Sequence, residues 1–230
     1  GVEAASFEDG PGEIFGIAGI DGNGQKQLAE ALAGQRAASA GSVLVAGRPI
    51  DRLDVGARTR AGLRYLTDDR LSEGTVGEFQ ISLNLLLKQI GAPPFWSGGI
   101  ERPAEIGRHA ETQVERFDVR TPSIETPIGK LSGGNIQKVL LARELGEGAR
   151  VVIFNKPTYG LDVQNIRASR RRIREIAAQG IAVVLISTEL VELVELADRI
   201  AVMSRGRIAG IIDNDEGARL RVGELMVGLS

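Results

Sequence analysis

"EIFGIAGIDGNGQKQLAEALA" runs from Glu13 to Ala33 and reads as three pieces in succession. Glu13–Ala18 is a short apolar run of strand size. Gly19, Gly22 and Gly24 then interrupt it, and from Gln25 to Ala33 the apolar residues fall at helical spacing. Strand, glycine turn and helix in that order can cradle an anion. Glycines let the backbone curl so that successive N–H groups point into one concavity, and the helix start adds partial positive charge. The outer glycines, Gly19 and Gly24, have the spacing of the phosphate loop G-x-x-x-x-G-K-[S/T]. Yet Gln25 stands in the lysine place, and Lys26 stands where a hydroxyl belongs. The cradle depends on backbone and glycine, so it tolerates that change. A merely structural glycine turn has the same pattern.

With 230 residues the chain has room for one large domain, or for a domain with a sizeable insertion. Hydrophobic residues make up 43% and charged residues 25%, an ordinary globular balance. The net charge of -2 argues against bulk electrostatic binding to nucleic acid. With no cysteine, neither a disulfide nor a thiolate metal site can form. The longest apolar runs, such as Ile181–Ile186, are strand-sized and far short of a membrane span. No secretory signal pattern is visible, and the abrupt opening at Gly1 fits a piece of something longer.

Apolar runs alternate with helical patterns along most of the chain. Strands are expected at Glu13–Ala18, Ser42–Ala46, Leu63–Leu66, Val151–Phe154, Ala182–Ser187, Ile200–Met203 and Arg207–Ile212. Helices are expected at Gln25–Ala33, Pro103–Phe117, Gly133–Leu145, Asn165–Ala178 and Glu189–Ala197. "VVIF" and "AVVLI" are apolar on both faces, as central strands covered by helices are. The stretch 71–130 differs: "GAPPFWSGG" and "RTPSIETP" are rich in loop formers, and no strand pattern stands out. The expected architecture is an α/β core over 1–70 and 150–230 with a mainly parallel sheet. An inserted helical subdomain at 71–149 would carry the next motif.

That motif is "LSGGNIQK", Leu131–Lys138. Ser132 is a natural N-cap, and the glycines let a ligand approach the start of the next helix. An ordinary capped helix has the same look. Followed by "LAREL", however, the stretch resembles in detail the signature motif of ATP-binding cassette (ABC) ATPases. "VVIFNKPTYGLD", Val151–Asp162, resembles that family's Walker B strand and D-loop. "LISTELVELVELADRIAVMSRGRI", Leu185–Ile208, resembles its switch-loop strand, helix and closing hairpin. The resemblance covers nearly the whole chain, in order. It is closer to the second ATPase half of the tandem proteins that energise simple-sugar and nucleoside importers. "GIDGNGQ", "YLTDDR" at Tyr65–Arg70 and "LSGGNIQK" carry that similarity, and "RFDVRTPSIETPIGKLSGG" leans towards nucleoside-type members.

The resemblance implies a P-loop NTPase-type fold that binds ATP and Mg²⁺ and docks on integral membrane permease subunits at the cytoplasmic side. It also implies head-to-tail pairing with another ATPase half, each ATP lying between one partner's glycine loop and the other's signature. Gly19, Asp21, Gly22, Asn23, Gly24, Gln25, Lys26 and Gln27 would then line the nucleotide site. Leu131, Ser132, Gly133, Gly134, Asn135 and Gln137 would serve the partner's ATP, and Gly160, Leu161 and Asp162 form the D-loop.

The departures matter more than the matches. Asn155 stands in the place of the Mg²⁺-organising aspartate, Lys156 of the catalytic glutamate, and Thr188 of the switch histidine. Asp68 occupies the Q-loop position. Asparagine is a poorer ligand for a hard cation than a carboxylate, and lysine cannot orient water as a base does. Removing one preorganised group typically costs roughly 10²–10³ in rate. A one-residue shift along a helix rotates a side chain by about 100° and moves it about 1.5 Å, so Lys26 meets a phosphate only in altered geometry. No catalytic residue is intact, Mg²⁺ is not expected at this site, and ATP is expected to bind weakly if at all. The signature would complete the partner's site while the domain's own is free to decay. Two other classes are a soluble ABC ATPase in translation or DNA maintenance, and a nucleotide-free pseudo-ATPase that only holds a partner. The first would be expected to keep its carboxylates and to carry coiled coils or basic linkers, which the sequence lacks. No nucleic-acid partner is expected.

Other features carry blander readings. Arg167, Arg170, Arg171 and Arg174 share one helical face, which is either a nucleic-acid stripe or a solvated surface. Phe95 and Trp96 are either an exposed anchor or packing for the insertion. His109 has no companion ligands in the sequence. "FQISLNLLL", Phe79–Leu87, is either a docking surface for the permease or core.

Overall fold

The computed structural model describes residues 2–3, 5–146 and 148–228. The first elements in chain order are β1 (Ile14–Ala18), α1 (Gln25–Ala33), β2 (Leu44–Val45), β3 (Arg48–Pro49), α2 (Val55–Arg60) and β4 (Leu63–Leu66). Then come α3 (Ile81–Leu85), β5 (Trp96–Ser97), β6 (Ile100–Glu101), α4 (Pro103–Arg116) and α5 (Gly133–Glu144). The last part holds β7 (Val151–Asn155), α6 (Val163–Ala178), β8 (Ala182–Ser187), α7 (Leu190–Leu196), β9 (Arg199–Ser204), β10 (Arg207–Asp213) and α8 (Ala218–Val227). The chain forms two compact units: Gly1–Asp68 with Gly148–Tyr159 and Val163–Ser230, and Asp69–Glu147 with Gly160–Asp162.

The first unit is built on a six-stranded sheet in the order β10-β9-β1-β8-β7-β4. All neighbours are parallel except β10, which runs antiparallel to β9. Every residue of β1 and β8 is buried, as both-face apolar sequence requires of central strands. Phe15, Ile17, Ile153, Val184, Ile186, Ala201 and Met203 meet Leu28 and Ala29 of α1 in one core. In the second unit α3, α4 and α5 pack on one another. Leu86, Phe95, Trp96 and Ile106 form a small cluster there, so the aromatic pair is packing and not an anchor. His109 lies with its ring centroid 5.0 Å from that of Phe95, and burial lowers its pKa.

Several expectations change. The strand expected at Ser42–Ala46 is only Leu44–Val45, because Ala46 and Gly47, at φ 49° and 74°, turn the chain back into β3. The 71–130 stretch does contain a hairpin, β5–β6, turned by Gly98 and Gly99 at φ 59° and 83°. Ser132 sits at the N-cap of α5 but its side chain caps no backbone N–H. The arginine face of α6 is engaged by carboxylates: Arg170 and Arg174 meet Glu195, and Arg171 meets Glu175. "FQISLNLLL" divides, with Phe79 exposed while Ile81, Leu85 and Leu86 are buried.

At the start of β1, Asp9 is held against Glu13, Asp198 and Arg199. Both of its carboxylate oxygens are buried without a hydrogen-bond partner. Arg199 is already spent on Glu13, at 2.6 Å, and on the Glu8 carbonyl. Burial, with Glu13 and Asp198 adding and Arg199 opposing, pushes the Asp9 carboxyl up to about 8. The folded state therefore keeps a proton that the unfolded chain releases above its ordinary value of 3.8. Stability from this group is full below that value and is lost as pH rises through about 8. Thermal melts of an Asp9→Asn variant should lose less stability than the parent as pH rises across this window. Parallel pH profiles for the two proteins would refute the assignment.

Candidate functional site

Parallel strands end on the same side of their sheet, so a loop after each of them joins one edge. The glycine loop follows β1, Thr188 follows β8, Lys156 follows Asn155 at the end of β7, and Asp68 follows β4 by one residue. The order β1-β8-β7-β4 thus lines up the loop, switch, Walker B and Q-loop positions along the C-terminal edge. None of this alignment depends on the identity of the side chains.

Gly22 and Gly24 lie at φ 91° and 107°, the left-handed region that only glycine enters cheaply. Gly24 ends the loop as the N-cap of α1, with no side chain capping the helix. A methyl on Gly22 would touch nothing, so the loop is open on that side. Asn23 fastens the loop to the turn between β9 and β10: its side-chain oxygen accepts from Arg205 N at 3.1 Å, and its carbonyl accepts from Gly206 N at 3.0 Å. Gln25 is buried and folds back inside, its Nε2 donating to the Ile20 carbonyl at 3.1 Å. A Cβ on Gly19 would sit 2.3 Å from that nitrogen. The residue in the lysine place is therefore loop filling. Lys26 is half-buried at the next position, and Gln27 follows it on the first turn of α1.

At the other end of the site, Asn155 is 1% exposed and donates from Nδ2 to Asp68 Oδ1 at 2.9 Å. Its Oδ1 is buried with no donor. Lys156 has a left-handed backbone, φ 45°, costly for a residue with a Cβ. Its N–H donates to Ile186 O at 2.8 Å, and its ammonium pairs with Asp21 of the glycine loop. Asp21 is largely exposed, so the pair contributes about 0–1 kcal/mol and separates easily. Thr188 is half-buried. The residue before it, Ser187, donates to the fully buried Glu192 at 2.7 Å and accepts from Glu189 N at 3.0 Å.

An uncapped helix start behind an open glycine loop fits a polyphosphate. A divalent cation does not fit. Mg²⁺ wants near-octahedral oxygen ligation, with one or two carboxylates plus phosphates and water. Among the described residues no group of three or more His, Cys, Asp or Glu side chains is placed to hold a metal ion. Asp68 already accepts from Asn155, and the Lys156 ammonium brings a positive charge to the same edge.

The signature lies in the second unit. Asn135 Oδ1 accepts from Arg120 N at 2.8 Å, which orients its amide so that Nδ2 donates to Ser132 Oγ at 3.0 Å. Ser132 Oγ thus serves as an acceptor, and its own proton is available to an anion. Ser132 and Gly133 are exposed, and Gly134 is buried at the start of α5. Leu131 is half-buried before them, and Gln137 is buried, accepting from Arg70 Nε at 2.7 Å. The D-loop residues Gly160, Leu161 and Asp162 belong to the same unit, and a Cβ on Gly133 would lie 3.7 Å from Leu161 Cδ2. Sequence reasoning missed Asn84, which is fully buried and holds the loop beneath Phe79. It accepts from Val76 N and donates to the carbonyls of Val76, Phe79 and Gln80.

A sheet edge of this kind, with a signature helix in a second unit, defines a P-loop ATPase cassette. The ABC transporter family model matches residues 2–159, and the chain belongs to the ABC transporter ATPase family. It is 38% identical over 217 residues to the guanosine import ATP-binding protein NupO of Bacillus subtilis, covering 94% of this chain and 42% of that protein. It is 34% identical over 230 residues to the ribose import ATP-binding protein RbsA of Clostridium perfringens, covering 100% of this chain and 46% of that protein. The chain therefore spans less than half the length of these relatives. A nucleotide-free ATP-binding cassette from an ABC transporter has the same fold, with a TM-score of 0.83 at 19% identity over 99% of this chain and 91% of that one. A dimeric cassette bound to ADP and phosphate gives 0.77 at 17% identity, over 93% and 90% of the two chains.

Proposed function

We propose that this domain is the second nucleotide-binding half of an importer ATPase for simple sugars or nucleosides. It works against permease subunits at the cytoplasmic side of the membrane, paired head to tail with another ATPase half. In this reading its own site does not hydrolyse ATP, and its signature completes the partner's site. The contrast between the two motifs carries the proposal. Asn135 braces Ser132 with its hydroxyl proton free, while Gln25 fills the glycine loop and Lys156 takes the place of a carboxylate. Relatives named for guanosine and ribose import support the solute class.

Ser132 and the N–H groups at the start of α5 would stabilise phosphate charge presented from across the pair. On the domain's own side the loop N–H groups can hold a phosphate, but the catalytic carboxylate's place is taken by the Lys156 ammonium, which cannot take a proton from water. The isolated chain with Mg-ATP should release phosphate no faster than a buffer blank. Turnover that follows the protein through purification and vanishes in Lys26→Ala would refute the degenerate-site reading.

A further inference from the structure

We infer that the glycine-loop site binds a nucleoside polyphosphate without a divalent cation, the Lys156 ammonium moving from Asp21 to the phosphate chain. This rests on the proposal that the domain is a nucleotide-binding half, and names the ligand form its own site accepts. Three observations carry it. Lys156 reaches across from the end of β7 to Asp21 within the glycine loop, so its ammonium already stands at the loop. Its backbone is held in the left-handed region, and its N–H is tied to Ile186 O at 2.8 Å, so the side chain is directed from a fixed base. The groups that would draw a divalent cation are few: Asn155 is an amide in the aspartate's place, and Oδ1 of Asp68 is hydrogen-bonded to it at 2.9 Å.

Charge decides between the two ligand forms. A metal-free triphosphate carries more negative charge than its Mg²⁺ complex, and a lysine at the metal's side is attracted to the first and repelled by the cation of the second. Asp21 is 72% exposed, so it gives up the lysine to a more highly charged partner and turns to solvent. In the absence of nucleotide it neutralises Lys156.

Calorimetric titration of the chain with ATP, once in EDTA and once in excess Mg²⁺, tests the inference. ATP should bind at least as tightly in EDTA. Lys156→Ala should weaken metal-free binding by about tenfold or more, with an unchanged thermal melt, and Asp21→Asn should tighten it by about threefold. Tightening by Mg²⁺ of about tenfold, unchanged affinity in Lys156→Ala, or no binding in either buffer would overturn it. Those results concern only this loop. The role of the signature is read separately, as phosphate release by the full-length protein.

Discussion

On the proposed function, Gly133→Asp in the full-length protein, assembled with the proposed permease subunits, should lower solute-stimulated ATP hydrolysis by about 10² or more. Lys26→Ala and Lys156→Ala in the same assembly should lower it by less than about threefold. The physical reason is placement of charge. Ser132 Oγ accepts from Asn135, whose amide is fixed by Arg120 N, so the exposed hydroxyl keeps its own proton to donate at the start of α5. A carboxylate at Gly133 would set negative charge against the phosphate these donors are to stabilise. Gly133 is the better position than Gly134 for this test. It is exposed, and a Cβ there meets only Leu161 at an ordinary 3.7 Å, whereas Gly134 is buried and a carboxylate there would also test folding. Equal damage from Lys26→Ala would mean that this domain's own loop turns over ATP, and the one-sided reading would fall.

The parts legible in the sequence were those set by local pattern. β4 and β8 have the bounds expected of them, Leu63–Leu66 and Ala182–Ser187, and α1 begins at the residue after Gly24, because a glycine loop fixes a helix start. The roles given to Asp68, Asn155, Lys156 and Thr188 came from the resemblance to ABC ATPases, whereas the order β1-β8-β7-β4 that lines them up is a tertiary fact. What stayed hidden depends on partners far along the chain. Lys156 and Asp21 are 135 residues apart, and nothing near either announces the other. Ser132 looked like a cap because serine before a helix usually is one, but a competing donor three residues on took its oxygen. α3 has five residues, too few to show a helical period, and α2 with six is hardly longer. The β5–β6 hairpin did have a local signal in Gly98-Gly99, which the surrounding loop formers obscured.

α2 also holds the residue whose loss should cost the fold most. Arg58 is 4% exposed, and its guanidinium donates to four carbonyls. Nη1 reaches Ala31 O at 2.8 Å and Leu32 O at 2.6 Å, Nε reaches Leu53 O at 3.0 Å, and Nη2 reaches Asp51 O at 2.8 Å. The first two belong to the last turn of α1, where Ala31 O also accepts from Gly34 N at 3.2 Å and helix carbonyls run short of partners. A cation there also complements the negative end of the helix dipole. Burial lowers the Arg58 pKa, with Asp51 opposing, and a guanidinium stays charged regardless. Gly34 is shaped around it: its φ is 82°, and a Cβ would lie 2.8 Å from Arg58 Nε. Arg58→Met keeps most of the stem but removes the donor from Leu32 O, Leu53 O and Asp51 O, while Ala31 O keeps Gly34 N; each carbonyl left unsatisfied costs about 1–3 kcal/mol unless water reaches it. With partial relaxation the loss should be about 3–4 kcal/mol, which for a chain of this size lowers Tm by roughly 6–16 °C. Arg36→Met, removing an exposed partner of Glu30, should cost less than about 1 kcal/mol. Because α1 begins in the glycine loop, Arg58→Met should also loosen that loop, and hydrogen exchange over residues 19–33 should rise well above the Arg36→Met control. Melting points for the two variants within about 2 °C of each other would show that water replaces the guanidinium, and that α1 is anchored by its apolar face alone.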